Sequence, residues 1–292
     1  MTRHWRALRQ EGLERLREAG VDDPGQEVRW IIERASGRSA AEQVAGLDEP
    51  VTEREGRHVE AMVARRTAGE PLQYVLGSWG FRTLDLLVDR RVLIPRPETE
   101  VVAGLAIDAL EALGRPGLAV DLGTGSGAIA LSLAAERWPH VEVWGTDSSR
   151  DALAVARANM AGLGRRASAI RLVEGDWFDA VPRKLRGRID VVVSNPPYVA
   201  ERDPLPPEVA DWEPIDALVP GPTGLEAVER ILADAVTWLA PSGTLVIEIG
   251  ETQGEAVVAL AGEVGFATAA VRPDLAGRDR ALVATAPPSV GI

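Results

Sequence analysis

The sequence predicts an α/β protein: a small all-helical domain over residues 1–69, a β-hairpin linker over 70–95, and a larger domain over 96–292 built on a seven-stranded, mainly parallel sheet. Three observations predict it. Up to residue 69 apolar groups recur at helical spacing among dense charge. From 70 to 95 the rhythm changes to partial alternation around a Gly77-Ser78 break. From Leu118 onward, short apolar runs alternate with amphipathic stretches, the pattern of strands joined by right-handed helical crossovers.

Taken in order, Trp5, Leu8, Leu13 and Leu16 share one face of a first helix, and Val28, Ile31, Ile32 and Ala35 one face of a second. Asp23-Pro24 opens the second helix as a cap followed by proline, and Ser36-Gly37 closes it. Thr52 and Glu55 make a capping box for a further helix that turns Val59, Met62 and Val63 inward and stops at Gly69. The many charges of this segment read as a solvated face. Tyr74-Val75-Leu76, then Phe81, Leu84, Leu86 and Val88, predict a hairpin or a pair of short strands. Two prolines stiffen Ile94-Pro95-Arg96-Pro97-Glu98-Thr99-Glu100 ahead of a helix reaching about Leu113, and that rigidity suits a wall of a ligand pocket. Strands are expected at 118–122, 141–146, 169–173, 189–194, 243–249, 266–272 and 280–285, with helices at 128–137, 150–161, 225–239 and 252–264. The turn at 274–279 is too short for a helical crossover, so the last strand must run antiparallel.

Composition narrows the chemistry. A chain of 292 residues with 46% hydrophobic content is long enough for two globular domains. No apolar stretch approaches the span of a bilayer, and the first residues lead into a charged helix instead of an apolar export segment. A soluble, cytoplasmic protein without membrane association is therefore expected. With no cysteine there are no disulfides, thiolate metal sites or thiol nucleophile. His4, His58 and His140 stand far apart without metal-ligand spacing, so neither a metal site nor a Ser-His-Asp mechanism is supported. The net charge of −12 and pI near 4.9 give no global attraction to phosphate backbones, and direct nucleic-acid binding is not expected.

In a doubly wound sheet, ligands sit at the carboxyl ends of the strands, where the polar clusters of this sequence fall. Asp121-Leu122-Gly123-Thr124-Gly125-Ser126-Gly127-Ala128 follows the first strand, and its glycines let backbone approach a ligand ahead of a helix N-terminus. Gly123, Gly125 and Ala128 also fit the G-x-G-x-x-A dinucleotide fingerprint, with Asp147 at the distance of a ribose-binding acid, so a nicotinamide dehydrogenase is a serious rival. Two observations count against it: Asp121 is an acid where a pyrophosphate would lie, and no histidine or lysine is placed for hydride chemistry. Asp121 better suits a cation such as the ammonium of S-adenosylmethionine. With that cofactor, Gly123, Gly125 and Gly127 make room for the methionine portion. Asp147 then accepts from the ribose hydroxyls, and Asp176-Trp177 border the adenine.

Asn195-Pro196-Pro197-Tyr198, after the fourth strand, then faces the methyl group as a socket for a planar NH2. Such a nitrogen holds its lone pair in conjugation and is a poor nucleophile. The Asn195 oxygen and the Pro196 carbonyl offer two acceptors on a stiff turn, and the Tyr198 ring can lie against the flat face. A glutamine amide and an adenine amine suit this socket equally, and the acidic net charge leans it toward protein.

These motifs resemble the HemK/PrmC family of protein-(glutamine-N5) methyltransferases, over nearly the whole length. The resemblance is most specific at Glu70-Pro71-Leu72-Gln73-Tyr74, Val92-Leu93-Ile94-Pro95-Arg96-Pro97-Glu98-Thr99-Glu100, the glycine loop, Asp176-Trp177-Phe178 and Ser194-Asn195-Pro196-Pro197-Tyr198. Glu213-Pro214, Ala217-Leu218, Gly224-Leu225 and the turn from Asp274 to Arg280 add to it. It implies a class I methyltransferase fold, and methylation by S-adenosyl-L-methionine of the Gly-Gly-Gln glutamine of class 1 peptide chain release factors. Cofactor contacts are implied at Asp121, Gly123, Thr124, Gly125, Ser126, Gly127, Asp147, Asp176, Trp177 and Asn195. Substrate contacts are implied at Asn195, Pro196, Pro197 and Tyr198, with Asn195, Pro196 and Tyr198 catalytic. A monomer is expected, with the helical domain recognising the substrate. Arg82 departs from the family where an aromatic is usual, and Pro222-Thr223 replaces a more acidic pair. Three readings remain beside this one: an adenine-N6 methyltransferase, a methyltransferase acting on glutamine of another protein such as a ribosomal protein, and a noncatalytic translation-factor binding protein.

Overall fold

The computed structural model describes residues 3–289. Packing divides them into two compact units, one of the residues up to Ser78 with Pro206–Trp212, the other of Trp79–Leu205 with the residues from Glu213 onward.

The first unit is helical: α1 (Trp5–Glu18), α2 (Pro24–Ser36), α3 (Ala40–Ala45), α4 (Glu53–Thr67) and α5 (Leu72–Leu76). Their apolar stripes close on one another around Leu8, Leu16, Ile31, Ile32, Val59 and Met62. Gly12 permits the close approach of α1 and α2, since a Cβ there would stand 2.9 Å from Val28 Cγ2. Both expected caps are formed: Asp23 accepts the Gln26 N–H at 3.0 Å, and Thr52 and Glu55 bond reciprocally. Tyr74-Val75-Leu76 is helical, not extended. A three-residue apolar run carries no period long enough to choose between helix and strand. Here Leu72 and Val75, three apart, both reach the bundle core, and Gly77 at φ 72° ends the turn. α3, opened by a Ser39–Glu42 capping box, is a further helix that the apolar periodicity does not announce.

From the unit boundary at Ser78 onward, β1 (Ser78–Phe81) and β2 (Leu84–Leu87) form the hairpin, and α6 (Thr99–Ala112) follows the proline-stiffened loop. The sheet is then built from β3 (Gly117–Leu122), α7 (Ala128–Arg137), β4 (Val141–Asp147), α8 (Arg150–Ala161), β5 (Ile170–Glu174) and β6 (Ile189–Ser194). After α9 (Pro207–Ala210), which belongs to the first unit, come α10 (Glu226–Trp238), β7 (Leu239–Glu248), α11 (Gly254–Glu263), β8 (Thr268–Pro273) and β9 (Asp279–Thr285). The strand order is β5-β4-β3-β6-β7-β9-β8, with β9 antiparallel to both its neighbours and the other pairings parallel.

Alternation along each strand decides what covers each face. Val120, Leu122, Val192, Leu245 and Ile247 pack beneath α10 and α11. Ala119, Val191, Val193 and Val246 pack beneath α6 and α7. The chain runs outward from β3 through β4 to β5, then returns to place β6 on the other side of β3. The crossovers therefore diverge between β3 and β6, and a crevice opens at their carboxyl ends.

Candidate active site

At that crevice Leu122 pairs with Ser194 in register, and the Ser194 hydroxyl donates to the Leu122 carbonyl at 2.7 Å. The glycine loop and Asn195, 68 or more positions apart in sequence, thus begin side by side. A cleft there is lined by Asp121, Gly123, Thr124, Gly125, Ser126, Asp147, Asp176, Trp177, Asn195 and Pro197. Its wall includes Val92, Leu93, Pro95 and Thr99 on one side and Pro214, Asp216 and Ala217 on another. Gly127, Pro196 and Tyr198 stand just behind these residues and do not line it.

Asp121 is buried beneath the loop. Its Oδ2 accepts the Thr124 hydroxyl at 2.7 Å and the Ala130 N–H at 3.0 Å, while Oδ1 has no hydrogen-bond partner among the described residues. Burial raises this carboxyl to about 7, against the opposing pull of those two donors. A buried carboxylate oxygen without a partner, on a residue that lines a cleft, is a place for a cation. Asp147 has both oxygens engaged, accepting from the Gly125 N–H and the Ser149 N–H at 2.8 Å each, and burial raises it as well. It therefore ties the glycine loop to the start of α8, and each oxygen keeps a second lone pair for a ligand hydroxyl.

The loop glycines differ in purpose. Gly125, at φ 56°, would send a Cβ into open space, so its backbone alone borders the cleft. At Gly127, φ 87°, a Cβ would stand 2.9 Å from Leu131 Cδ1, so this glycine serves the packing of α7. Trp177 has a positive φ of 46° and packs its ring near Gly123, while the exposed Asp176 is paired with Arg230 at 3.0 Å.

The other half of the cleft is a side-chain network. Asn195 Nδ2 donates to the Thr99 hydroxyl oxygen at 3.1 Å, and that hydroxyl donates to Glu248 Oε2 at 2.7 Å. Tyr198 donates its phenol to Glu248 Oε1 at 3.3 Å. Burial raises Glu248 to about 7, with Thr99, Arg280 and Tyr198 favouring its ionised form and Glu98 opposing it. Burial chiefly, with Glu248 beside it, also raises the Tyr198 phenol, which therefore stays neutral. Gln253 fixes the turn from behind, donating to the Tyr198 carbonyl at 3.0 Å and the Gly224 carbonyl at 3.1 Å. Glu213, buried, accepts the Ile94 N–H at 3.0 Å and pairs with Arg96, which secures the proline loop beside the cleft.

Thr99, Glu248, Gln253 and Arg280 were not among the sequence candidates. Thr99 reads as an ordinary residue of a helix start. Glu248 offers one signal, an acid closing the apolar run Leu245-Val246-Ile247, where a buried charge requires partners.

The sheet order, with a cleft between the glycine loop and Asn195 at the β3/β6 strand ends, is that of a methyltransferase domain, and the comparisons agree. Residues 7–77 match the family described as PrmC N-terminal domain, and residues 102–207 that described as methyltransferase small domain. A methyltransferase structure from Pyrococcus furiosus covers 78% of this chain and 98% of its own, with a TM-score of 0.51 at 19% identity, a likeness of fold. A release factor glutamine methyltransferase of Cereibacter sphaeroides is 43% identical over 94% of this chain and 95% of its own length. One of Burkholderia pseudomallei is 40% identical over 87% and 90%. The chain belongs to the release factor glutamine methyltransferase family.

Proposed function

We propose that this protein methylates the side-chain nitrogen N5 of the glutamine in the Gly-Gly-Gln motif of peptide chain release factors, with S-adenosylmethionine as donor. The observation that carries this reading is the register of β3 against β6. It sets Asn195 beside the glycine loop, so one cleft holds both an amide socket and the orphaned oxygen of Asp121. The full-length similarity to the family supports the choice of glutamine.

The residues present fit the cofactor. Asp121 Oδ1 is free for its ammonium, directly or through a water, and the open space at Gly125 admits its methionine portion. Asp147 receives the ribose hydroxyls, Asp176 and Trp177 border the adenine, and Thr124 and Ser126 complete the loop around it. When bound, S-adenosylmethionine supplies a methyl group on an electron-poor sulfonium. The acceptor nitrogen is prepared by Asn195 Oδ1 and the Pro196 carbonyl, each taking one N–H, while Tyr198, bonded to Glu248 behind the cleft wall, holds their turn in place. Orientation does most of the work, and positioning of this kind can contribute about 7–11 kcal/mol. The nitrogen becomes acidic as it gains the methyl, and its proton passes to water or to an acceptor carbonyl, so no dedicated base is needed.

The helical unit with its hairpin linker serves substrate recognition, gripping the release factor away from the glutamine. Comparable kcat/KM on an intact release factor and on a short Gly-Gly-Gln peptide would defeat that role. The activity itself is tested by incubating the protein with labelled S-adenosylmethionine, a release factor and its glutamine-to-alanine variant. Mass spectrometry is expected to find label on that glutamine alone. Label on a ribosomal protein, or on adenine in a parallel nucleic-acid incubation, would replace the substrate.

A further inference from the structure

We propose that Thr99 and Glu248 are positioning residues that set the sense of the Asn195 amide, turning its NH2 into the protein and its carbonyl oxygen toward the cleft. This rests on the reading of Asn195 as the acceptor for the substrate amide. A carboxamide has two orientations, a half turn apart, that fill the same space and carry opposite hydrogen-bonding character. With oxygen outward, Asn195 accepts an N–H of the incoming amide. With nitrogen outward, it confronts that N–H with its own and the socket fails.

The neighbours distinguish the two. Thr99 has one hydroxyl proton, and Glu248 Oε2 takes it at 2.7 Å. In its ionised form, which Thr99, Arg280 and Tyr198 favour, Glu248 only accepts, so Thr99 then offers Asn195 only a lone pair, and Nδ2 occupies that place at 3.1 Å. A hydroxyl free to rotate would satisfy either orientation. Glu248 thereby reaches both ends of the tetrapeptide, Asn195 through Thr99 and Tyr198 directly. Its own place is set by β7, of which it is the last residue, and by Arg280 of β9. Thr99 is the first residue of α6, so the amide is referred to the sheet and a packed helix instead of to its own loop.

The chain contains two asparagines, Asn159 and Asn195, so selective 15N-asparagine labelling of the full-length protein gives two side-chain NH2 groups. Asn159 Nδ2 donates to the Leu87 carbonyl at 3.1 Å and the Ser126 carbonyl at 2.9 Å, and serves as an internal control. In Thr99→Val, which keeps the shape and loses the hydroxyl, the Asn195 NH2 should exchange with water about tenfold faster, with Asn159 unchanged. The same variant should lose about tenfold in kcat, the scale of one hydrogen bond, while KM for S-adenosylmethionine stays within about threefold. Thr99→Ser should restore both readouts.

Glu248→Gln supplies a second test if the valine variant is poorly folded, because its amide can donate to Thr99 and release the hydroxyl proton toward Asn195. It should lower kcat and alter Asn195 exchange with the Asn159 signals in place. Wild-type kcat and Asn195 exchange in Thr99→Val or Glu248→Gln, or equal losses in the serine and valine variants, would overturn the proposal. If wild type leaves release factors unmethylated while the exchange pattern holds, the substrate reading fails and the positioning network stands.

Discussion

The two halves of the cleft are built by opposite means. In the donor half, Asp121 bonds partners three and nine positions away, and Asp147 reaches Gly125, 22 positions away in the loop that follows the neighbouring strand. Backbone N–H groups do much of that work, and positive-φ glycines shape the loop. In the acceptor half, bonds join side chains 96, 149 and 50 positions apart: Asn195 with Thr99, Thr99 with Glu248, and Tyr198 with Glu248. A recess for a ligand's main body can be made locally, from a short turn ahead of a helix. Aiming a single amide requires side chains held by several elements at once, because no one loop supplies enough rigid partners.

The largest expected effect breaks the halves apart. Asn195→Ala should lower kcat at least about a thousandfold while the Kd for S-adenosylmethionine, measured by calorimetry, changes only a fewfold, since the donor half does not depend on that side chain. Near-normal turnover would remove the socket from the mechanism. The converse substitution, Asp121→Asn, should weaken cofactor binding about 10- to 100-fold, the scale of a hydrogen bond to a charged group. At saturating cofactor it should leave kcat within a fewfold. A loss confined to kcat would mean Asp121 belongs to the other half.

Within the donor half, the two glycines can be separated by unfolding in urea. Gly127→Ala should cost about 2–4 kcal/mol, adding a left-handed penalty to a clash with Leu131, whereas Gly125→Ala should cost about 1–2 kcal/mol from the backbone alone. Gly125→Ala should nonetheless weaken cofactor binding more, because its Cβ enters the cleft.

A gentler effect concerns pH. Asp121 is raised by burial to about 7 in the folded protein, from about 4 when unfolded. The folded state therefore holds its proton over that interval, and the stability this group contributes without cofactor falls as pH rises from about 4 to about 7. Affinity for a cationic ligand must run the other way, rising as Asp121 ionises through about pH 7. Calorimetry in two buffers near pH 6.5 should detect proton release on binding, and Asp121→Asn should abolish it. Proton uptake instead would contradict the assignment of the ammonium to Asp121.

How far the sequence could be read follows the same division. The strand and helix pattern of the second unit was legible because buried parallel strands are continuous apolar runs, and the antiparallel last strand followed from a turn too short for a crossover. Tyr74-Val75-Leu76 is helical where extended chain was expected, because a run of three apolar residues lacks a period, and tertiary packing of Leu72 and Val75 chose the helix. The glycine loop and the tetrapeptide were recognisable because their chemistry is contiguous. Thr99 and Glu248 were not, since an unremarkable threonine and an acid after a strand acquire meaning only from each other.

The sequence by itself determined the elements, the order in which polar clusters reach the strand ends, and the acceptors available at Asn195 and Pro196, because these depend on periodicity and local backbone chemistry. The tertiary structure decided that β6 returns beside β3, which oxygen of Asp121 is left without a partner, and which side-chain network faces Asn195. Those outcomes depend on burial and on hydrogen bonds between residues that only the assembled sheet brings within reach.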